Sequence, residues 1–382
     1  MMFKVIAAAA VLCAATLCAA AGEETPDAGI ASKYVKDGGI AKDPDVIFYE
    51  DFEDDQLRAR GWYDLHGWGK KLLVTDEDKA TGKKSIKIVY GKGGTGPWFR
   101  APHFRHGIET MHVRYYRKWM DGWNWKGPGD GNGHDTRLVA NGPELPKQAY
   151  KANDMTVLMM ESCTHFNPWR RGLFGLMLYT RGRYISDAIR ASRKKQEEHG
   201  HRLKGGEWWL ATTTKERSPK SPPGKWFCVE YMGKMNTPGK ADGEIKGWID
   251  GKLYYHVKNC MIRDGESKAA TWRRWWVGPY FHGGTTKEQW SYLDSLVVAT
   301  KYIGPVAEEA PKPEPQEKPP AVPVRPQIDD GAAREKQAGR LLQMARQAER
   351  MGQLGVARQL YARIVAKFPG TKIADKARAR LN

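Results

Sequence analysis

The stretch WFCVEYMGKMNTPGKADGEIKGWIDGKLYYHVK, residues 226–258, decides the fold. It reads as three strands, 226–236, 244–250 and 253–258, rich in aromatic and β-branched residues and separated by turn formers. Asp250-Gly251 lies between IKGWI and KLYYHV, a two-residue pair that tolerates the positive φ angles of a tight hairpin. Asn236-Thr237-Pro238-Gly239 ends the first strand with turn chemistry of the same kind.

Working outward, segments of similar character recur at 46–52, 71–75, 85–90, 111–120, 156–162, 173–180, 275–281 and 291–300. All fifteen tryptophans fall between Trp62 and Trp290, inside this region. Only 186–198 reads as a helix there, with Ser186 placed to cap it. Many short strands with few helices predict a mainly-β sandwich or jelly roll over residues 45–303.

The flanks differ in composition. One lysine, an apolar run from Val5 to Ala21 and a small-residue end describe a cleavable signal over 1–21, so secretion or a periplasmic location is expected. Leu12 and Leu17 precede the two cysteines of that run, unlike a lipoprotein site, and no later segment is apolar enough to span a membrane. Residues 22–44 form an N-terminal extension. Residues 304–330 are a proline-rich spacer that cannot bury a core. Residues 331–382 resemble a tetratricopeptide repeat closing at Pro369, with Leu341, Met344, Ala345, Ala348, Ala357, Tyr361 and Ile364 on its apolar positions and 352–355 as the turn between helices. One repeat leaves an apolar face, so a protein partner, self-association or packing on the sandwich is expected there.

The formal charge is +18, with +1 on 1–21, +11 on 22–303, −3 on 304–330 and +9 on 331–382. A basic exported body suits an anionic partner, and export argues against nucleic acid. Cys163, Cys228 and Cys260 are too few for a disulfide framework and make no CxxC pair. One bridge with a free thiol, or three buried thiols, both fit.

Within the sandwich, Met111, Val113, Tyr115 and Trp119 alternate with His112, Arg114, Tyr116 and Lys118, and Arg117 interrupts the apolar set. The polar set is expected to face a groove where cations and aromatic rings meet a sugar chain. The glycine-rich loop 124–137 carries Lys126, His134 and Arg137 and lacks both nucleotide-loop patterns. Tyr280 and His282, two residues apart, would share one face as an acid/base pair. Lys234, Asn236 and His256 add candidate substrate contacts. No cofactor is expected. The one metal alternative is Ca2+ at Asp130, Asn132 and Asp135, which lack the glutamate spacing of a calcium loop. His199 and His201 have no acidic or cysteine partners nearby, and Glu161, Glu230 and Glu244 are isolated, unlike the paired carboxylates of a glycosidase.

VIFYEDFE, VRYYRKWMDGWNW, the 226–256 block and PYFHGGTTKEQWSYLDSLVVATKYIG together resemble concanavalin-like jelly-roll proteins, closest to polysaccharide lyases acting on alginate or glucuronan. The resemblance covers about residues 45–303. It implies cleavage by β-elimination, in which a cation or amide offsets the uronate carboxylate, a base removes the C5 proton and a tyrosine protonates the leaving oxygen. It sets Lys126 against the family's loop lysine and Tyr179 against a tyrosine on a groove strand. The family's alginate-cleaving members carry a serine and an arginine two apart where this chain reads Thr156-Val157-Leu158-Met159-Met160. Cleavage would then fall to Arg114, His134, Arg137, Tyr280 and His282. The expected function is binding of acidic polysaccharide with cleavage as a lyase, the alternative being a silent glycan-binding module joined to a helical adaptor.

Overall fold

The computed structural model describes residues 28–125, 133–142, 155–163, 171–181, 186–198, 202–204, 208–211, 219–278, 280–281, 283–309, 331–350 and 354–381. Residues 1–21 expected as a signal, Lys126, the expected calcium loop apart from Asp135, His199, His201, His282 and most of the proline-rich spacer lie outside them. The chain divides into two compact units, Met1–Lys312 and Pro313–Asn382.

Fifteen strands are described in the first unit: β1 Val46–Glu50, β2 Leu72–Thr75, β3 Ser85–Tyr90, β4 Phe99–Arg100, β5 Thr110–Trp119, β6 Gly133–Asn141, β7 Met155–Cys163, β8 Arg171–Arg181, β9 Arg202–Lys204, β10 Trp208–Ala211, β11 Trp226–Lys234, β12 Gly243–Ile249, β13 Lys252–Cys260, β14 Thr271–Val277 and β15 Gln289–Ala299. Among the described residues they form two antiparallel sheets. One runs β13-β12-β11-β5-β15-β3-β2 with β1 also on β15, and the other runs β4-β14-β6-β7-β8-β10-β9. The mainly-β sandwich expected from the sequence is what forms. Its opening hairpin is β12–β13, where Asp250 and Gly251 take φ of 49° and 75°. Two successive positive φ values match the right-handed twist of the flanking strands.

Period-two alternation explains the core. Met111, Val113, Tyr115 and Trp119 of β5 and Phe227, Val229 and Tyr231 of β11 meet Leu138, Leu158, Met160, Leu176, Leu178, Trp272 and Trp275 from the other sheet. A Cβ at Gly233 would sit 2.5 Å from the Trp272 ring, so glycine lets that fully buried indole lie on the β11 backbone. Arg117, the interruption in the apolar row, points inward as well. Its guanidinium lies 3.0 Å from Asp135, both side chains fully buried, with the two groups close as charges but poorly aligned as a hydrogen bond. Tyr115 donates to Asp135 at 3.2 Å, and Thr136 and Trp275 each reach the Tyr231 hydroxyl at 3.0 Å. The two sheets are therefore joined by polar as well as apolar contacts.

The outer face of the eight-stranded sheet is covered by the chain itself. Ile30, Ala31 and Ile40 pack on Val297, Ala299 and Ile303. Val35 bridges Ala307 in parallel, bringing the incoming and outgoing segments side by side. Buried Glu230 accepts the N–H groups of Ile303 and Gly304 at 2.9 and 2.8 Å and contacts His112 Nδ1 at 2.9 Å. Helix α1 (Asp187–Glu198) buries Ile189, and Ser186 caps it by accepting from the Ile189 N–H at 3.2 Å. Arg193 of the same helix donates to the Thr180 hydroxyl. Cys228 and Cys260 are buried free thiols, and the Cys163 side chain lies outside the described residues. No helix among the described residues is long and apolar enough to cross a membrane.

Asp294 ties the 76–84 turn to β15 by accepting from Ala80, Thr81 and Ser295 N–H at 2.8, 3.1 and 2.7 Å. Burial nonetheless pushes its carboxyl up from 3.8 to about 7, the three donors pulling only partly against it. The folded state thus holds this proton more tightly than the unfolded chain. Its contribution is complete below the unfolded value and is lost as pH rises through the folded one. Melting curves from pH 5 to 8 should fall more steeply for the native chain than for Asp294→Asn, and parallel slopes would contradict this account.

The second unit contains α2 (Gly331–Arg350), α3 (Leu354–Lys367) and α4 (Lys372–Arg378). Ala338, Leu342, Ala345, Ala348, Ala357, Tyr361, Ile364, Phe368, Ala374 and Ala377 form its apolar cluster, at helical spacing. Met344, placed on that face by the sequence reading, is 55% exposed, and Leu342 occupies the inward position instead. Leu354 and Gly355, assigned to the turn, already belong to α3.

Candidate functional site

The outer face of the seven-stranded sheet carries an arrangement that ordinary solvated sheets do not. Opposed residues in an antiparallel pair share a face. Arg100 pairs with Trp276, Trp276 with Arg137, Arg137 with Met159, and Met159 with Met177, so these five make one row across β4, β14, β6, β7 and β8. Tyr63 extends it through a bridge to Arg100. The neighbouring row is Arg274, Val139, Val157 and Tyr179, with Trp208 next in register. Val139, Val157, Met159, Met177, Tyr179 and Trp276 form a buried apolar cluster separate from the main core.

Cations frame this cluster. Trp276 lies between two guanidiniums, with Arg100 4.6 Å and Arg137 5.4 Å from its ring centre. Such cation–π contacts fix the arginine planes. Arg100 also donates to Asp64. Arg274 is different. It is 1% exposed, and its Nε and Nη2 have no hydrogen-bond partner. Burial pushes its guanidinium below the ordinary value; the Tyr63 phenol opposes this, and the like charge of Arg100 adds to it. Tyr63 in turn is raised by its own burial, against the pull of Arg274 and Arg100. A buried guanidinium stays protonated and costs several kcal/mol unless an anion meets it. Among the described residues, no carboxylate meets the Arg274 guanidinium.

The sequence candidates divide between the two sheets. Arg137 and Tyr179 lie on this face. Tyr280 is half-buried three residues beyond β14, next to core residue Phe281. At the same end, a methyl group on Gly278 would be 3.5 Å from Arg137 Nη1, so the guanidinium runs along that glycine. His134 is in register with Glu161 at the edge of β6, though the side chains of both lie outside the described residues, as do Lys126 and His282 entirely.

The polar set of β5 does not line a groove. Arg114 is fully buried against Asp37 at 2.5 Å, Tyr116 accepts the Val306 N–H at 2.9 Å, and Lys118 pairs with Asp78 at 2.6 Å. The covering segments 28–43 and 302–307 occupy that face over Arg114, Tyr116 and Glu230. Lys234 is exposed on that same outer side, and His256 contacts Glu244 at 2.6 Å there. Asn236 is fully buried. Its amide donates to Thr237, Lys240 and Arg263 carbonyls, and its oxygen accepts from Ile262 and Arg263, so its polar atoms are taken up in building a turn. Among the described residues, no group of three or more His, Cys, Asp or Glu side chains could hold a metal ion.

Arg100, Arg274, Trp276 and Tyr63 were not singled out from the sequence. In TWRRWWV strict alternation would put Trp272, Arg274 and Trp276 together. A bulge between Trp272 and Arg274 instead sends Trp272 and Trp275 to the core and Arg274 and Trp276 outward. Two adjacent arginines in an apolar strand were the available signal.

No family model matches the chain, and no curated protein sequence matches it. Solved structures do resemble it. The alginate lyase vAL-1 from Chlorella virus is 16% identical with a TM-score of 0.48, over 66% of this chain and 99% of that one. The PL-14 alginate lyase from Aplysia kurodai is 14% identical with a TM-score of 0.47, over 63% and 91%. The endo-β-1,4-glucuronan lyase from Trichoderma reesei is 14% identical with a TM-score of 0.44, over 67% and 95%.

Proposed function

We propose that the chain binds uronate-bearing polysaccharide on the outer face of its seven-stranded sheet. The observation that carries this reading is Arg274, a buried guanidinium whose Nε and Nη2 make no hydrogen bond among the described residues, beside Arg100 and Arg137 on the two sides of Trp276. A sugar carboxylate supplies the missing acceptors in planar, charge-assisted geometry. Half-buried Arg137 and Tyr63 give the ligand its first contacts. The apolar N-terminal run supports action outside the cytoplasm, and the separate helical unit supports a protein partner or self-association through 331–382. The binding reading requires no metal or cofactor.

Cleavage by β-elimination is the second reading. It is favoured by Arg137 and Tyr179 sharing one face and by Tyr280, half-buried past the strand that flanks Arg137. Arg137 would offset the carboxylate, one tyrosine as phenolate would take the C5 proton, and the C4–O bond would break as the C4=C5 double bond forms, a tyrosine returning a proton to the leaving oxygen.

Both readings are tested by titrating alginate, glucuronan and a neutral glucan at increasing salt while following absorbance of unsaturated uronate ends. The acidic chains should bind and weaken as salt rises, with the neutral chain unbound. Equal, salt-independent binding of all three would remove the proposal. Product that disappears in Tyr280→Phe supports elimination, and binding without product supports the silent module.

A further inference from the structure

Trp98 is 41% exposed, unlike most of the aromatic residues of the sandwich. Its ring stacks on His66 with centroids 4.0 Å apart and planes within 3°. The backbone fixes both partners. Tyr63 and Arg100 exchange N–H and carbonyl bonds at 3.0 and 3.1 Å, and the His66 N–H donates to Trp98 O at 3.0 Å. Phe99, between Trp98 and Arg100, is fully buried in the core, so extended backbone turns Trp98 to the side that Arg100 occupies. Continuing the β4–β14 register places Trp98 opposite Gly278, and the Phe281 N–H to Thr95 O bond of 2.9 Å shows that the pairing persists beyond it. Strand spacing of about 4.8 Å then sets Trp98 about 10 Å from the β6 strand that carries Arg137.

We infer that Trp98, backed by His66, is an outlying sugar platform at the β4 edge of the site, taking one pyranose ring of a chain whose carboxylates are held by the arginines. The inference rests on the polyuronate reading and adds length selectivity to it. A flat indole stiffened from behind loses little freedom when the apolar C–H face of a sugar covers it. A stacked ring pair sits at the platform, and the arginines lie inward of it. That order suits a sugar polymer crossing the strands better than an apolar peptide side chain, which would leave the arginines unmet.

The experiment is a binding series with alginate and glucuronan oligosaccharides from two to eight sugars, on the full chain, comparing native protein with Trp98→Ala and Trp98→Phe. Trp98→Ala should lose about three- to tenfold in affinity for the long oligomers, with no change for dimers, and Trp98→Phe should recover part of it. Equal losses at every length, or no loss at any, overturn the platform while leaving the arginine site intact. If the native chain binds none of these oligomers, both the site reading and the platform fall. Unchanged melting of the variants excludes misfolding as the cause.

Discussion

Replacing Arg274 with methionine should stabilise the protein and at the same time weaken its hold on polyuronate. The side chain is 1% exposed, with Nε and Nη2 unpartnered, and Arg100 repels it from nearby. An apolar chain of similar length removes that desolvated charge, a change that has stabilised other proteins by about 1–4 kcal/mol even where the charge was paired. Binding should move the other way. Hydrogen bonds to charged groups contribute about 1.5–3 kcal/mol, so affinity for acidic oligosaccharides should drop about 10- to 100-fold. Arg274→Lys should keep some affinity, because the charge persists while the planar fork is lost. Thermal melting and calorimetric titration on the same samples decide it. A variant that melts lower and binds as before would make Arg274 a structural residue and remove the main support for the proposed site.

Asp135→Asn should have the largest effect on stability. The substitution keeps an oxygen for Tyr115 but strips the charge opposite Arg117, leaving a fully buried cation between the sheets. Breaking such a pair from one side costs about 3–5 kcal/mol, measurable as an early midpoint in urea unfolding. Adding Arg117→Met should restore most of the loss, since the penalty belongs to the orphaned charge. A single variant within about 1 kcal/mol of the native chain would show that solvent reaches this pair.

The sequence disclosed what depends on neighbours along the chain. Asp250-Gly251 fixed a hairpin because positive φ is a local demand, and the apolar set of β5 named the core through its period of two. It misdirected the polar set. Arg114 and Tyr116 meet Asp37 and Val306, and nothing local in VRYYRKW records that distant segments come to lie over that face. Arg274 was hidden by one extra residue in β14, which exchanges the faces of the tryptophans around it. Asn236 carries the polar chemistry of a ligand contact, but five bonds to backbone groups occupy it, and only the folded turn shows them. Arg137 and Tyr179, found by different routes, share a face because the β6–β7–β8 ladder keeps even register between them.

Segments 28–43 and 302–307 run together behind the sandwich, on the side turned away from the arginines. Both segments expose side chains there, Lys36 among them. A surface coated with the protein through a cysteine introduced by Lys36→Cys should consequently keep the capacity for glycan that the uncoupled protein shows.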